Sequence, residues 1–129
     1  MKKYNILIVD DERPLAEMTR MNFPQDQFNA KTCFNGADAL KEIMENPPDL
    51  VVLDVMMPDL DGWEVLQKLK SNSKTSSIPV IMCTAKDGLE DVEKSYQCGA
   101  QSYIIKPFAF DRLLKKIAAI LDIEKLLSD

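Results

Sequence analysis

Five short apolar runs alternate with five segments of helical periodicity along this chain, and that alternation restricts its fold more than any other feature. The first run is Ile6-Leu7-Ile8-Val9. A helix is predicted after Pro14, because the first helical turn does not need the N–H that proline lacks. From Phe28 to Phe34 the pattern alternates, with Phe28, Ala30, Thr32 and Phe34 on one side, as in a half-exposed strand. Asn35-Gly36 breaks that strand. Leu40, Ile43 and Met44 then space a second helix, which Pro47-Pro48 must end.

Leu50-Val51-Val52-Leu53 is a fully apolar third strand that runs into Asp54. Beyond a loop through Pro58 and Gly62, Trp63, Leu66 and Leu69 space a third helix. Ser71 to Ser77 is polar and predicted as loop, and Val80-Ile81-Met82-Cys83 forms the fourth strand. Leu89, Val92 and Tyr96 mark a fourth helix, which Gly99 stops by taking a left-handed cap conformation. Tyr103-Ile104-Ile105 is the fifth strand, and Phe110, Leu113, Leu114, Ile117 and Leu121 carry the last helix.

Strict β-α alternation with short connections implies a parallel sheet with helices on both faces. Strands buried on both faces read as continuous apolar runs. The first, third and fourth do so. The second is mixed and the fifth is short, which sends both to the edges. The expected architecture is therefore α/β: a doubly wound, five-stranded parallel sheet of order 2-1-3-4-5, flavodoxin-like. No internal boundary interrupts the pattern, so residues 1–129 are expected to form a single domain of ordinary size.

Composition removes several function classes. A net charge of −5 argues against nucleic acid bound by this domain itself, because gripping a phosphate backbone takes a basic patch. Cys33, Cys83 and Cys98 form no paired spacing and read as small apolar fillers in a reduced, cytoplasmic chain. No apolar stretch approaches the roughly 20 residues of a membrane span. There is no histidine, which excludes Ser-His and Cys-His catalysis and histidine-based zinc sites. Any phosphohistidine must then belong to another protein. The four glycines are scattered and build no GxxxxGK phosphate loop.

In a doubly wound sheet, ligands bind beyond the carboxyl ends of the strands, beside the switch point between the first and third. Strand one ends there in Asp10-Asp11, strand three in Asp54, strand four in Thr84 and strand five in Lys106-Pro107. Any one of these is an ordinary polar strand end. Together they put three carboxylates, a hydroxyl and an ammonium at one edge. Two carboxylates about 4 Å apart repel by about 4 kcal/mol at an effective dielectric near 20, so the cluster asks for a divalent cation. Few carboxylates plus waters suit octahedral Mg2+ better than a calcium cage. A carboxylate can attack phosphorus to form an acyl phosphate, and cations with a hydroxyl donor would stabilise the phosphoryl oxygens. Asp54, ending the central strand, is the best nucleophile, with Asp10 and Asp11 holding metal and its waters.

Four segments, Ile6 to Glu12 (ILIVDDE), Val51 to Gly62 (VVLDVMMPDLDG), Val80 to Ala85 (VIMCTA) and Tyr103 to Phe108 (YIIKPF), resemble the receiver domains of two-component response regulators. The resemblance spans essentially the whole chain, in order and at matching spacing. It implies Asp54 as phosphoacceptor, Asp11 as a direct magnesium ligand, Asp10 as a water-mediated or second acidic partner and the backbone carbonyl of Met56 as a further ligand. It implies that Thr84 follows the phosphoryl group on activation, that rotation of Tyr103 reports it, and that Lys106 pairs with the phosphate. The Lys106-Pro107 peptide is expected to be cis. A histidine kinase or phosphotransfer protein would supply the phosphoryl group, and the domain would act as a switch that catalyses its own phosphorylation and slow dephosphorylation.

Asp59-Leu60-Asp61-Gly62 imitates the DxDG of haloacid-dehalogenase-type phosphatases, but Met57-Pro58 stands where that motif needs an apolar strand. A polar loop of turn residues is the better reading. An interaction module that kept the fold and lost the switch is disfavoured by the intact set Asp10, Asp11, Asp54, Thr84 and Lys106. Output is expected on the face of helix four, strand five and helix five, as a homodimer or a partner contact. Ile120, Ile123 and Leu127 either extend that contact or lie back on their own domain.

Overall fold

The third and fourth strands are buried along their length and the first from Ile6 onward, and the sheet is built around them. The chain folds as β1 (Tyr4–Val9), α1 (Arg13–Asn22), β2 (Phe28–Cys33), α2 (Gly36–Glu45), β3 (Leu50–Asp54), α3 (Gly62–Lys70), β4 (Val80–Thr84), α4 (Leu89–Gln97), β5 (Ser102–Ile105) and α5 (Phe110–Leu121). The structure is a computed structural model that describes residues 2–85 and 89–123. All strands are parallel, in the order β2-β1-β3-β4-β5. Ile6 pairs with Leu50, Val9 with Leu53, Asp54 with Cys83 and Met82 with Tyr103.

Because side chains alternate across a strand, each buried strand feeds two cores. Leu7, Val9, Val51, Leu53, Val80 and Met82 pack with Ile43, Leu66 and Leu69 on one face. Ile6, Ile8, Leu50, Val52, Ile81 and Cys83 pack with Ala16, Leu113 and Ile117 on the other. The edge strands carry the mixed sequence: β2 buries only Phe28 and β5 only Ile104.

Local signals explain the helix boundaries. Proline stands in the first turn of α1. Asn35 caps α2 by accepting from the Asp38 N–H, and Asp61 with Glu64 forms a reciprocal capping box on α3. Gly99 takes φ +96° after α4, a backbone that costs glycine little.

Two helical phases differ from the sequence reading. In α2 the buried positions are Ala39 and Ile43, while Met44 is exposed. In α4 Ser95 is fully buried and Tyr96 is 52% exposed. In α4 a small polar residue takes the inward position, and in α2 the inward face is shared by Gly36, Ala39 and Ile43. Ile120 and Ile123 are half-buried against the α1/α5-side core of their own fold, which favours the second of the two readings for them. Leu127 lies outside the described residues.

Candidate functional site

Asp54 is the last residue of β3, between β1 and β4, and only 5% exposed. The chain leaves it through Val55, whose N–H bonds to the Cys83 carbonyl, and returns so closely that Gly62 donates its own N–H to the Val55 carbonyl. A Cβ on Gly62 would stand 2.2 Å from the Asp54 carbonyl oxygen, so only glycine lets α3 start against the strand end. Asp59 in this loop has φ 67°, a conformation aspartate tolerates, and Asp61 is spent on the α3 cap. Asp59 and Asp61 thus serve the loop and the helix.

Asp10 follows β1 and is nearly buried. Its carboxylate accepts from the Glu12 N–H at 2.9 Å and from the Lys106 ammonium at 2.7 Å. Lys106 also stands 3.4 Å from Asp54 and 3.9 Å from Glu12. Asp10, Asp11 and Asp54 each offer an oxygen, all lying within 4.8 Å of one another. Thr84 ends β4 fully buried, and Lys106 N–H bonds to its carbonyl at 2.7 Å. The Lys106-Pro107 peptide is cis. Met56 projects its side chain into solvent, and Met57 packs inward.

Three carboxylates and one ammonium leave the cluster net negative. Burial pushes Asp54 up to about 6; Lys106 opposes that rise, and Asp10 and Asp11 add to it. Burial pulls Lys106 down, but its bond to Asp10 and the charges of Asp54 and Asp10 outweigh that and hold it above the ordinary lysine range. The donor set is all oxygen, charged and incompletely neutralised, which fits a hard divalent cation of the magnesium kind.

The family model described as the response regulator receiver domain matches residues 6–118. The chain belongs to the response regulator receiver family. Receivers of this family act in two-component signalling. The chain is 39% identical over 116 residues to the probable transcriptional regulatory protein TcrX of Mycobacterium tuberculosis, covering 90% of this chain and 49% of that protein. It is 37% identical over 124 residues to response regulator MprA of Mycobacterium ulcerans, covering 96% and 53%. The chain therefore spans about half the length of the curated relatives it matches. A putative response regulator from Chloroflexus aurantiacus superposes with a TM-score of 0.88 at 29% identity, covering 94% of this chain and 99% of that one. A receiver domain protein from Methanospirillum hungatei gives 0.86 at 28% identity, covering 96% and 98%.

The receiver fold brings Asp10, Asp11, Asp54 and Lys106 together, with Thr84 on the neighbouring strand end. Tyr103 lies apart, on β5 between α4 and α5. The sequence reading missed three features. Glu12 reaches toward Lys106, which the third acid of Asp10-Asp11-Glu12 could have suggested. Leu15, Met18 and Met21 are exposed at 43%, 60% and 70% along α1, a spacing of three visible in the sequence. Leu15 and Met18 border a cleft of about 430 Å³ that runs from Asp10 and Lys106 past Phe108. Tyr96 meets the ring of Tyr103, a contact between elements that no local pattern announces. Among the described residues no helix is long and apolar enough to cross a membrane.

Proposed function

We propose that this chain is a phosphorylation switch whose acceptor is Asp54, working as one receiver unit over residues 1–129. The observation that carries the reading is Asp54 itself: a nearly buried carboxylate at the end of the central strand, 3.4 Å from Lys106 and within 4.8 Å of two more carboxylates. Burial strains its charge and Lys106 offsets that only in part, as suits a phosphoryl acceptor.

The donor is a phosphohistidine on a partner kinase or phosphotransfer protein. An Asp54 oxygen attacks phosphorus, the P–N bond breaks, and the electron pair leaves on the imidazole, which takes up a proton. Lys106 draws Asp54 into line and pairs with the phosphoryl oxygens as Asp10 releases it. Thr84 donates its hydroxyl to one of those oxygens. Asp10, Asp11, Asp54 and the Met56 carbonyl would hold Mg2+, which supplies charge neutralisation for the transferring group. Water on the same acyl phosphate reverses the labelling slowly. The exposed apolar stripe of α1 beside the cleft offers the donor a place to dock, and the α4–β5–α5 face carries the signal to a second copy or an output partner. The protein works in the cytoplasm.

Acetyl phosphate with magnesium should add one phosphoryl group, seen as a single mass increase that hydroxylamine removes. Asp54→Asn should abolish it. Equal labelling of the variant would move the acceptor elsewhere, and no labelling of either form would favour an interaction module that has kept the fold alone.

A further inference from the structure

Tyr103 and Met82 are register partners on β5 and β4, and Thr84 lies two residues beyond Met82. Parallel partners share a face, and so do positions two apart, so the Tyr103 side chain and the Thr84 hydroxyl belong to the same side of the sheet. At this edge the Tyr103 ring is gripped from two helices. Tyr96 of α4 meets it edge-on, with centroids 5.9 Å apart and planes at 90°. Lys116 of α5 holds its ammonium 5.2 Å from the ring centre while reaching the Ser102 hydroxyl at 3.4 Å. The perpendicular arrangement sets the positive edge of one ring on the negative face of the other, and the ammonium adds attraction of the same kind.

Tyr96 lies at the surface of its helix. It is 52% exposed, and the inward position of its helical turn belongs to Ser95. An aromatic that contributes so little to the core yet contacts one particular ring is placed to act on that ring. We propose that Tyr96 is a positioning residue that, with Lys116, latches Tyr103 in the unphosphorylated arrangement and sets how readily the receiver changes state. The proposal rests on the switch reading above and on the rotation of Tyr103 that the resemblance to receiver domains implies. When Tyr103 turns toward Thr84 it must leave both contacts, so each biases the equilibrium toward the resting form. A ligand that favours the turned form then binds more weakly by the factor the latch imposes.

Beryllofluoride, which mimics a phosphoryl group on a carboxylate, gives the test by calorimetry in excess magnesium. Tyr96→Ala should tighten its binding about 2- to 12-fold, the size of one aromatic pair, and leave the affinity for magnesium alone unchanged. Tyr96→Phe keeps the ring and should match wild type. In a Tyr103→Ala background, Tyr96→Ala should have no effect. Unchanged or weaker binding in Tyr96→Ala overturns the latch, as does an equal gain in the Tyr103→Ala background. If beryllofluoride binds wild type and Asp54→Asn alike, or binds neither, the switch reading falls and takes the latch with it. Loss of binding in Asp54→Asn with indifference to Tyr96 removes the latch alone.

Discussion

Helices α3 and α4 are both nine residues long, and they are held very differently. α3 opens with a capping box, buries Gly62, Val65, Leu66 and Leu69, and abuts the carbonyl of Asp54 through Gly62. The polar loop after it is pinned as well. Thr75 donates to the Leu69 carbonyl from a buried position, and Lys70 donates to the carbonyls of Ser76 and Ile78. Among the described side chains of α4, only Ser95 is buried. Few buried apolar contacts mean a low cost of local opening. Asp54 thus stands on a stiff support, while β5, which carries Tyr103, faces a helix that is cheap to move.

The largest expected effect tests the stiff side. Leu66→Ala should cost about 2–5 kcal/mol in urea unfolding, as truncation of a fully buried leucine does. Val92→Ala on half-buried α4 should cost less than about 1 kcal/mol. Equal losses would erase the contrast between the two helices.

Next comes the burial of Asp54. With Asp54 raised from an ordinary 3.8 to about 6, the folded state binds the proton more tightly than the unfolded one. Stability therefore falls as pH rises from about 4 to 6, and the full penalty stands above that window. Its upper bound is about 3 kcal/mol. In magnesium-free buffer Asp54→Asn should be more stable than wild type at pH 7.5, with the gap closing as pH falls through 6 toward 4. A gap that does not change with pH would mean that burial of the charge is not what strains this site.

Magnesium should act on the same support. At ten- to thirty-fold above its Kd it should stabilise wild type by about 1–2 kcal/mol through mass action. Asp11→Asn should lose most of that gain while easing repulsion in the metal-free protein, read as a higher melting temperature without metal. Equal stabilisation of both proteins would remove Asp11 from the metal's ligands.

The same contrast governs what could be read in advance. Leu50 to Leu53 and Val80 to Cys83 declared themselves because both sides of each strand are buried, and sheet order followed from the weaker patterns of Phe28 to Phe34 and Tyr103 to Ile105. On α3 the stripe of Leu66 and Leu69 marked the inward face correctly, since bulky residues filled it. On α4 the inward place goes to Ser95, which no apolar count registers, and on α2 Ala39 and Ile43 take the inward face, so the apolar spacing points Tyr96 and Met44 inward where the fold exposes them. The polar strand ends told which groups would meet. They could not tell that Lys106 lies closer to Asp10 than to Asp54, because that choice depends on side-chain reach across strands.

The smallest effect concerns Ser95. Its hydroxyl donates to the Asp91 carbonyl at 2.8 Å, an acceptor that is also in reach of the helix's own i to i+4 bond. Removing the hydroxyl therefore strands no buried acceptor. Serine is also a poorer helix former than alanine by about 0.5 kcal/mol, partly because such back-bonding competes with the helix. Ser95→Ala should leave global unfolding almost unchanged and slow amide exchange in α4 by about twofold, with α3 amides unaffected. Faster exchange in α4 would show that the buried hydroxyl anchors the helix. In that event the loose side of the receiver would be held by polar contacts where the stiff side is held by apolar ones, and the contrast would be one of kind as well as degree.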